Sequence, residues 1–200
     1  MGDGAACIRK IPESSQHSAV ENWMYRHTIE PVLPFFAQRF SANTVTGAGM
    51  VVGVSSLAAA FTGYYPCAAL GTLLKTWLDY LDGPVARCTG TVSRAGDWMD
   101  HLSDWLFYVP MGALLFTRVP CKRLFTAVLG IIVLGFLVAF GCQEKYYNTE
   151  NSSPSVAFTR CFCPSRRVQE IVQRAELTDV TLSLFYFAVL MALSQTKLSP

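Results

Sequence analysis

Charge is what this chain has least of. Asp, Glu, Lys and Arg make up 15% of its 200 residues, where a soluble domain carries about a quarter. The shortfall excludes an ordinary soluble globule, which needs a charged coat. The stretch after Met1, "MGDGAACIRKIPESSQHS", is polar, so no apolar leader is expected there. The Met-Gly start has Ala6 where N-myristoylation wants Ser or Thr. The seven cysteines show no paired spacing, and Cys161 and Cys163 flank Phe162 with no histidine nearby. A zinc site is therefore not expected. These two cysteines read as idle thiols, with juxtamembrane palmitoylation as the alternative.

Apolar residues, by contrast, come in blocks. They form 52% of the chain, and the mean hydropathy is +0.31. Thr44 to Thr62 is a run of 19 uncharged residues, and Leu124 to Cys142 is another 19. About 20 such residues in a helix cross the hydrocarbon core of a bilayer. Two further stretches, Pro66 to Asp82 and Asp100 to Thr117, are interrupted by polar residues, and Val180 to Thr196 is a shorter fifth. The expected fold is all-α: a multi-pass transmembrane helix bundle with about five spans. If residues 1–43, 83–96 and 142–178 share one side, that side holds eleven Lys and Arg, against four (Arg118, Lys122, Arg123 and Lys197) on the other. Positive charge favours the cytosolic side, so the N-terminus and the loop after Asp82 are expected in the cytosol. The cluster at 118–123 pulls mildly the other way.

Seven aspartates are present, and five of them, Asp79, Asp82, Asp97, Asp100 and Asp104, fall within 26 residues. Asp79 and Asp82 are spaced i, i+3 and so share a face of the second span; Asp100 and Asp104, spaced i, i+4, share a face of the third. The short connection "CTGTVSRA" makes the two spans antiparallel neighbours, which gathers the acids at one end of the bundle. Acids at a membrane helix end normally pair or mark a functional path. Arg87, Arg94 and Lys75 are too few to neutralise five of them. Hard divalent cations prefer oxygen ligands from paired carboxylates, and two such ions could clamp a pyrophosphate. The alternative is a helix-pairing network without chemistry.

The order of these residues resembles a known family. "DYLDGPVAR" from Asp79, eight residues on, then "GDWMDHLSD" from Gly96, meets all eight fixed positions of D-x-x-D-G-x-x-A-R-x8-G-x-x-x-D-x-x-x-D, the signature of the CDP-alcohol phosphatidyltransferases. Upstream, "NTVTGAG" from Asn43 is similar to that family's N-x-x-T-x-x-G, although the usual proline before it is Ala42 here. The resemblance implies an integral membrane enzyme of phospholipid biosynthesis. Such an enzyme transfers a substituted phosphate from a CDP-alcohol to an acceptor hydroxyl and releases CMP. It further implies Asp79, Asp82, Asp100 and Asp104 as ligands of two ions, Mg²⁺ or Mn²⁺, with Asp104 also the catalytic base. Asn43, Gly83, Arg87 and Ser93 would contact the CDP moiety. Asp97 and His101 are supporting candidates around the metal site, and the Asp100-His101 pair resembles the branch that uses CDP-choline or CDP-ethanolamine.

Hydropathy and charge set the domain layout, and the resemblance marks its core as catalytic. Residues 1–42 are a cytosolic N-terminal segment, with Tyr25, Ile29, Leu33, Phe36 and Phe40 near helical spacing. That pattern predicts an interfacial helix over about 20–40, or else a helix packed on the bundle. Residues 43–141 are a four-span catalytic membrane core, 142–178 a polar juxtamembrane segment with a basic helix over 166–176, and 179–200 a final short span and tail. Pro84 should bend or end the second span just past the acids. Five spans fall short of the family's usual six, so an inactive truncated relative stays open, as does a carboxylate-lined transporter. The partners expected are the CDP-alcohol, a lipid or polar alcohol acceptor, membrane lipid and a second copy of the chain; no nucleic acid is expected. The active site should face the cytosol.

Overall fold

The computed structural model describes residues 18–146 and 154–198, and no strand occurs among them. Five long helices make the bundle. Helix α3 (Ala42–Thr62) starts at Ser41, whose hydroxyl accepts from the Thr44 amide at 3.2 Å, and stops at Gly63, where φ is 85°. Only glycine adopts that backbone cheaply. Helix α4 (Tyr65–Thr89) carries Pro66 in its first turn, where the missing N–H costs nothing. Gly90 ends it at a φ of 67°. Ser93 then caps α5 (Arg94–Arg118), accepting from the Gly96 amide at 3.0 Å. Helix α6 (Lys122–Tyr146) is followed by a 3₁₀ segment (Pro154–Phe162), a short basic helix α7 (Arg166–Arg174) and α8 (Asp179–Leu198).

Ahead of the bundle, the pattern over 20–40 gives two short helices rather than one. Helix α1 (Ala19–Met24) runs into a π-helical turn (Tyr25–Ile29), and α2 (Leu33–Arg39) follows. Pro31 breaks the run because it offers no N–H to a continuing helix, whereas Pro34 sits in the first turn of α2, where none is needed. Buried Ile29 and Leu33 pack with Leu78, Leu81 and Val85 of α4, and Phe36 meets Trp77 edge-on at 5.9 Å. The segment is thus fastened to the bundle.

Among the described residues, three stretches are long and apolar enough to cross a membrane: Ala42–Thr62, Lys122–Tyr146 and Arg166–Thr196. Helices α4 and α5 have 25 residues each, as α6 does, but carry two aspartates (Asp79 and Asp82) and three (Asp97, Asp100 and Asp104) respectively. At 1.5 Å per residue, each of these could cross about 30 Å of hydrocarbon. Large apolar side chains such as Val54, Leu134 and Leu106 point outward, as a lipid-facing surface requires.

Helix α4 is central, flanked by α3 and α8, while α5 packs on α3 and α8 rather than along α4. Helices α4 and α5 nonetheless meet through side chains as expected of neighbours, Lys75 bonding Asp104 and Thr76 Oγ1 lying 3.2 Å from Tyr108 Oη. Pro84 fails to end its span: α4 continues to Thr89. The helix tolerates the lost hydrogen bond because Pro84 is buried among packed neighbours.

Two apolar clusters fill the interior. One, around Tyr65, Phe107, Met111, Phe125 and Leu190, lies at the end away from the acids. The other, around Ile29, Val45, Leu81 and Val85, lies beneath the N-terminal helices. Between them runs a polar belt, in which the Thr76 hydroxyl donates to Ser183 at 2.7 Å and Tyr108 meets the same Ser183 at 2.8 Å. Near the acid-bearing end, Cys142 of α6 is disulfide-bonded to Cys163, and Cys88 of α4 is also disulfide-bonded. Cys163 is therefore not an idle thiol, whereas Cys161 is free and exposed. The bridge was hidden in the sequence because its partners are 21 residues apart on separate elements.

Candidate active site

A cavity opens between the ends of α4, α5, α6 and α8, and the signature residues form one of its walls. Asp79, Asp82, Gly83, Arg87 and Asp100 all line it. Helical spacing explains the set: the i, i+3 acids share one face of α4, and Arg87 stands one turn beyond Gly83, its long side chain reaching back to the cavity. A Cβ on Gly83 would come within 3.1 Å of Arg87 Nη1, so the glycine lets the guanidinium fold back against the helix. Arg87 also reaches the Tyr25 hydroxyl, which ties the cavity mouth to the N-terminal segment.

Asp82 is only 6% exposed and accepts from the Thr46 hydroxyl, Oγ1 to Oδ2, at 2.5 Å. Asp100 buries Oδ1 without a hydrogen-bond partner. Leaving a carboxylate oxygen unsatisfied is expensive, and a hard cation in the cavity would satisfy it. Among the described residues, no three acidic, histidine or cysteine side chains are gathered tightly enough to hold a metal ion as they stand. The donor chemistry suits Mg²⁺ or Mn²⁺, and Asp79, Asp82 and Asp100 would hold it after side-chain rotation toward the cavity they share.

Asp104 lies a step behind those three, within hydrogen-bonding reach of Asp79. It does not line the cavity; its Oδ1 is bonded to Lys75 Nζ, which also donates to Asp79 Oδ1 at 2.9 Å. His101 turns away from Asp104 as well. Its Nδ1 donates to the Asp97 carbonyl at 2.7 Å and lies 3.8 Å from Asp97 Oδ1, with its ring 5.8 Å from that of Phe140. Ser93 and Asn43 meet at the start of α5: Ser93 caps the helix, and Asn43 Oδ1 stands 3.5 Å from where a Gly96 Cβ would sit. Neither lines the cavity. The structure thus unites five signature residues in one wall and puts Asn43 and Ser93 at its edge.

The opposite wall was not visible in the sequence. Glu21, Tyr25, Tyr80, Thr178 and Asp179 come from α1, the π-helical turn, α4 and the start of α8. Tyr80 Oη lies between Glu21 Oε1, at 3.2 Å, and Asp179 Oδ1. Burial, and then the Asp179 charge, pushes the Glu21 carboxyl up to about 8. Behind them, Glu176 adopts a φ of 55°, rare for a side chain of its kind. Its carboxylate is held by the Ser18 hydroxyl and the Ala19 amide, each at 2.6 Å. These contacts join positions about 160 residues apart, which no short motif can announce. Phe136, Ala139, Phe140 and Gln143 of α6 close the third side.

Residues 39–196 match the CDP-alcohol phosphatidyltransferase family. The chain belongs to that family. Membership makes this CDP-alcohol phosphatidyltransferase relative a membrane-bound transferase of phospholipid synthesis, with a CDP-alcohol and an alcohol acceptor as its substrate classes. Neither the curated proteins nor the solved structures yield a match. The matched span takes in α3 to α8, the elements that build the acid wall, and leaves out α1 with its Glu21.

Proposed function

We propose that this chain transfers a substituted phosphate from a CDP-alcohol to an acceptor hydroxyl and releases CMP. The observation that carries the reading is the shared cavity of Asp79, Asp82, Asp100, Gly83 and Arg87. Acids from two helices meet there beside a guanidinium whose planar fork suits phosphate oxygens. When bound at the three aspartates, Mg²⁺ or Mn²⁺ would supply charge stabilisation to the pyrophosphate.

The chain's own residues then have distinct tasks. Arg87, backed by Tyr25, binds phosphate oxygens at the mouth. Thr46 holds Asp82 in one orientation. The apolar side chains Phe136 and Phe140 keep water from the wall opposite Asp100. The acceptor oxygen forms a bond to the phosphorus that carries the alcohol, the bond from that phosphorus to the bridging oxygen breaks, and CMP leaves with the electron pair. Asp104, steadied at Oδ1 by Lys75 and within reach of Asp79, takes the acceptor's proton. The excess of Lys and Arg at this end supports a cytosol-facing site.

The test is release of CMP from labelled CDP-choline, CDP-ethanolamine and CDP-diacylglycerol in membranes with candidate acceptors. Asp79→Asn and Asp100→Asn should abolish it while the protein still inserts. His101→Ala should lose less than about tenfold, well below the 10² to 10⁴ typical of a lost general base, because its ring is committed to Asp97. Release that survives EDTA or either aspartate variant would refute the reaction as proposed.

A further inference from the structure

The transfer leaves one wall of the cavity without a task. Facing the acids are Glu21, Thr178 and Asp179, with the amides of Gln143 and Gln173 beside them. Among the described lining residues the sole cation is Arg87, on the acid side. The Thr178 hydroxyl is 5% exposed, and its Oγ1 has no partner at hydrogen-bonding geometry; Glu21 is near it only at longer reach. A buried hydroxyl left unmet is costly, and a ligand atom in the cavity would meet it. The Asp179 carboxylate accepts from the Tyr80 hydroxyl and from the Val180 amide, the latter at 3.0 Å.

The chemistry of this wall selects its ligand. Glu21, held at about 8, keeps its proton at neutral pH and so both donates and accepts. Amides and the Thr178 hydroxyl do the same. A hydroxyl is the ligand group that answers all of them. An ammonium only donates, and would leave the amide N–H groups unmet. A phosphate or an ester only accepts, and would face the Asp179 carboxylate as a second acceptor. Phe136 and Phe140, stacked with ring centres 5.5 Å apart, add an apolar face for a small carbon skeleton.

We propose that this wall seats the acceptor, and that the acceptor is a small, uncharged alcohol with at least two hydroxyls. One hydroxyl turns to the acids as the nucleophile, and the others bond to Thr178, Asp179 and the amides. The inference rests on the transfer proposed above and gives it a direction. With a water-soluble acceptor, the acyl chains of the product must arrive on the donor, which is then CDP-diacylglycerol. The phosphorus that carries diacylglycerol gains a bond to the acceptor oxygen and loses its bond to the bridging oxygen. CMP leaves with the electron pair, and the acceptor's proton passes to Asp104. This parts from the branch that the Asp100-His101 pair resembles, where lipid is the acceptor; His101 lines neither wall. Glu21 comes from α1, outside the matched residues 39–196, so a segment beyond the family pattern helps set the choice of acceptor.

The test measures CMP release in membranes holding the full-length chain. CDP-diacylglycerol is offered with inositol, glycerol, serine, ethanolamine or glycerol 3-phosphate; CDP-choline and CDP-ethanolamine are offered with diacylglycerol. Release should occur with CDP-diacylglycerol and an uncharged polyol. Thr178→Val, which keeps the outline, should raise KM for that polyol by about 2- to 12-fold, the loss of one neutral hydrogen bond. KM for CDP-diacylglycerol should stay put, and Thr178→Ser should restore the polyol's KM, a split that general loss of packing would not give. If Thr178→Val does not insert, Gln143→Leu on α6 is read in the same way. Release with a charged acceptor only, or from CDP-choline or CDP-ethanolamine with diacylglycerol, would overturn this inference and leave the transfer standing. An unmoved polyol KM would do the same. If no pair releases CMP, the purified chain in detergent decides. A melting temperature raised by the polyol in wild type but not in Thr178→Val would keep the seat and remove the reaction; no rise would remove both.

Discussion

Replacing Thr46 by valine removes one hydroxyl and leaves the outline of the side chain nearly unchanged. Thr46 and Asp82 are 7% and 6% exposed, so no bulk water can take the hydroxyl's place. The Thr46 hydroxyl lies 2.5 Å from Asp82 Oδ2 and 3.1 Å from the Ala42 carbonyl, and its one hydrogen is best spent on the carboxylate. A hydrogen bond to a charged group contributes about 1.5 to 3 kcal/mol net. At about 1.4 kcal/mol per decade, the loss amounts to roughly 10- to 150-fold in an equilibrium that depends on Asp82 keeping its orientation. Cation binding at Asp82 is such an equilibrium. In membranes, CMP release measured against Mg²⁺ concentration should show a half-activating concentration raised by about that factor in Thr46→Val. Thr46→Ser, which keeps the hydroxyl, should stay close to wild type. An unchanged activation curve in Thr46→Val would refute the assignment of Asp82 as a metal ligand oriented by this bond.

Two further predictions concern stability. The Glu21 carboxyl is held at about 8 against an ordinary 4.5, so between those values the folded protein keeps a proton that the unfolded chain releases. Stability should therefore fall as pH rises through that window, and Glu21→Gln should flatten the dependence in thermal melts from pH 5 to 8; an identical slope in both proteins would count against a protonated Glu21. Gly71 seats α4 against α3, and a Cβ there would come within 2.8 Å of Ser56 Cβ. Gly71→Ala should cost about 1 to 3 kcal/mol through overpacking and lower the melting temperature by several degrees, with Ser56→Gly in the same chain restoring part of it. An unaltered melting temperature for Gly71→Ala would show that the two helices have slack at this contact.

The spans were legible because hydrophobic runs must be long where a helix crosses lipid. Their ends were less so. The run from Pro66 to Asp82 continues to Thr89, since Gly90 rather than Pro84 supplies the stop. The acid wall was legible for a related reason: the i, i+3 and i, i+4 spacings act within single helices, and the fold only had to bring two ends together. Lys75 was visible as a nearby cation, but its pairing with both Asp79 and Asp104 depends on how the side chains of α4 and α5 meet, which local sequence does not encode. The Glu21, Tyr80 and Asp179 wall is assembled from three distant segments, each unremarkable alone. His101 illustrates the limit of proximity along a chain. It follows Asp100 directly, yet a step of about 100° around the helix turns it elsewhere.

The bridge between Cys142 and Cys163 lies beside the wall that α6 gives to the cavity, through Phe140 and Gln143. Cys88, at the far end of α4, is bonded at the same end of the molecule. Disulfides persist in oxidising compartments and open in the cytosol, whereas the positive residues of this end favour the cytosol. The two preferences meet on one surface. Closing a loop of 21 residues contributes about 3 kcal/mol by restricting the unfolded chain. With the thiols reduced, the 154–162 segment would keep its seat through narrower means, chiefly the close approach of the Thr159 carbonyl to Gly141 and the Lys145 ammonium on the Cys163 carbonyl at 3.1 Å. Reduction of the bridge would therefore loosen the floor beneath Phe140, and the same chain would present a stiffer cavity wherever the bridge stays closed.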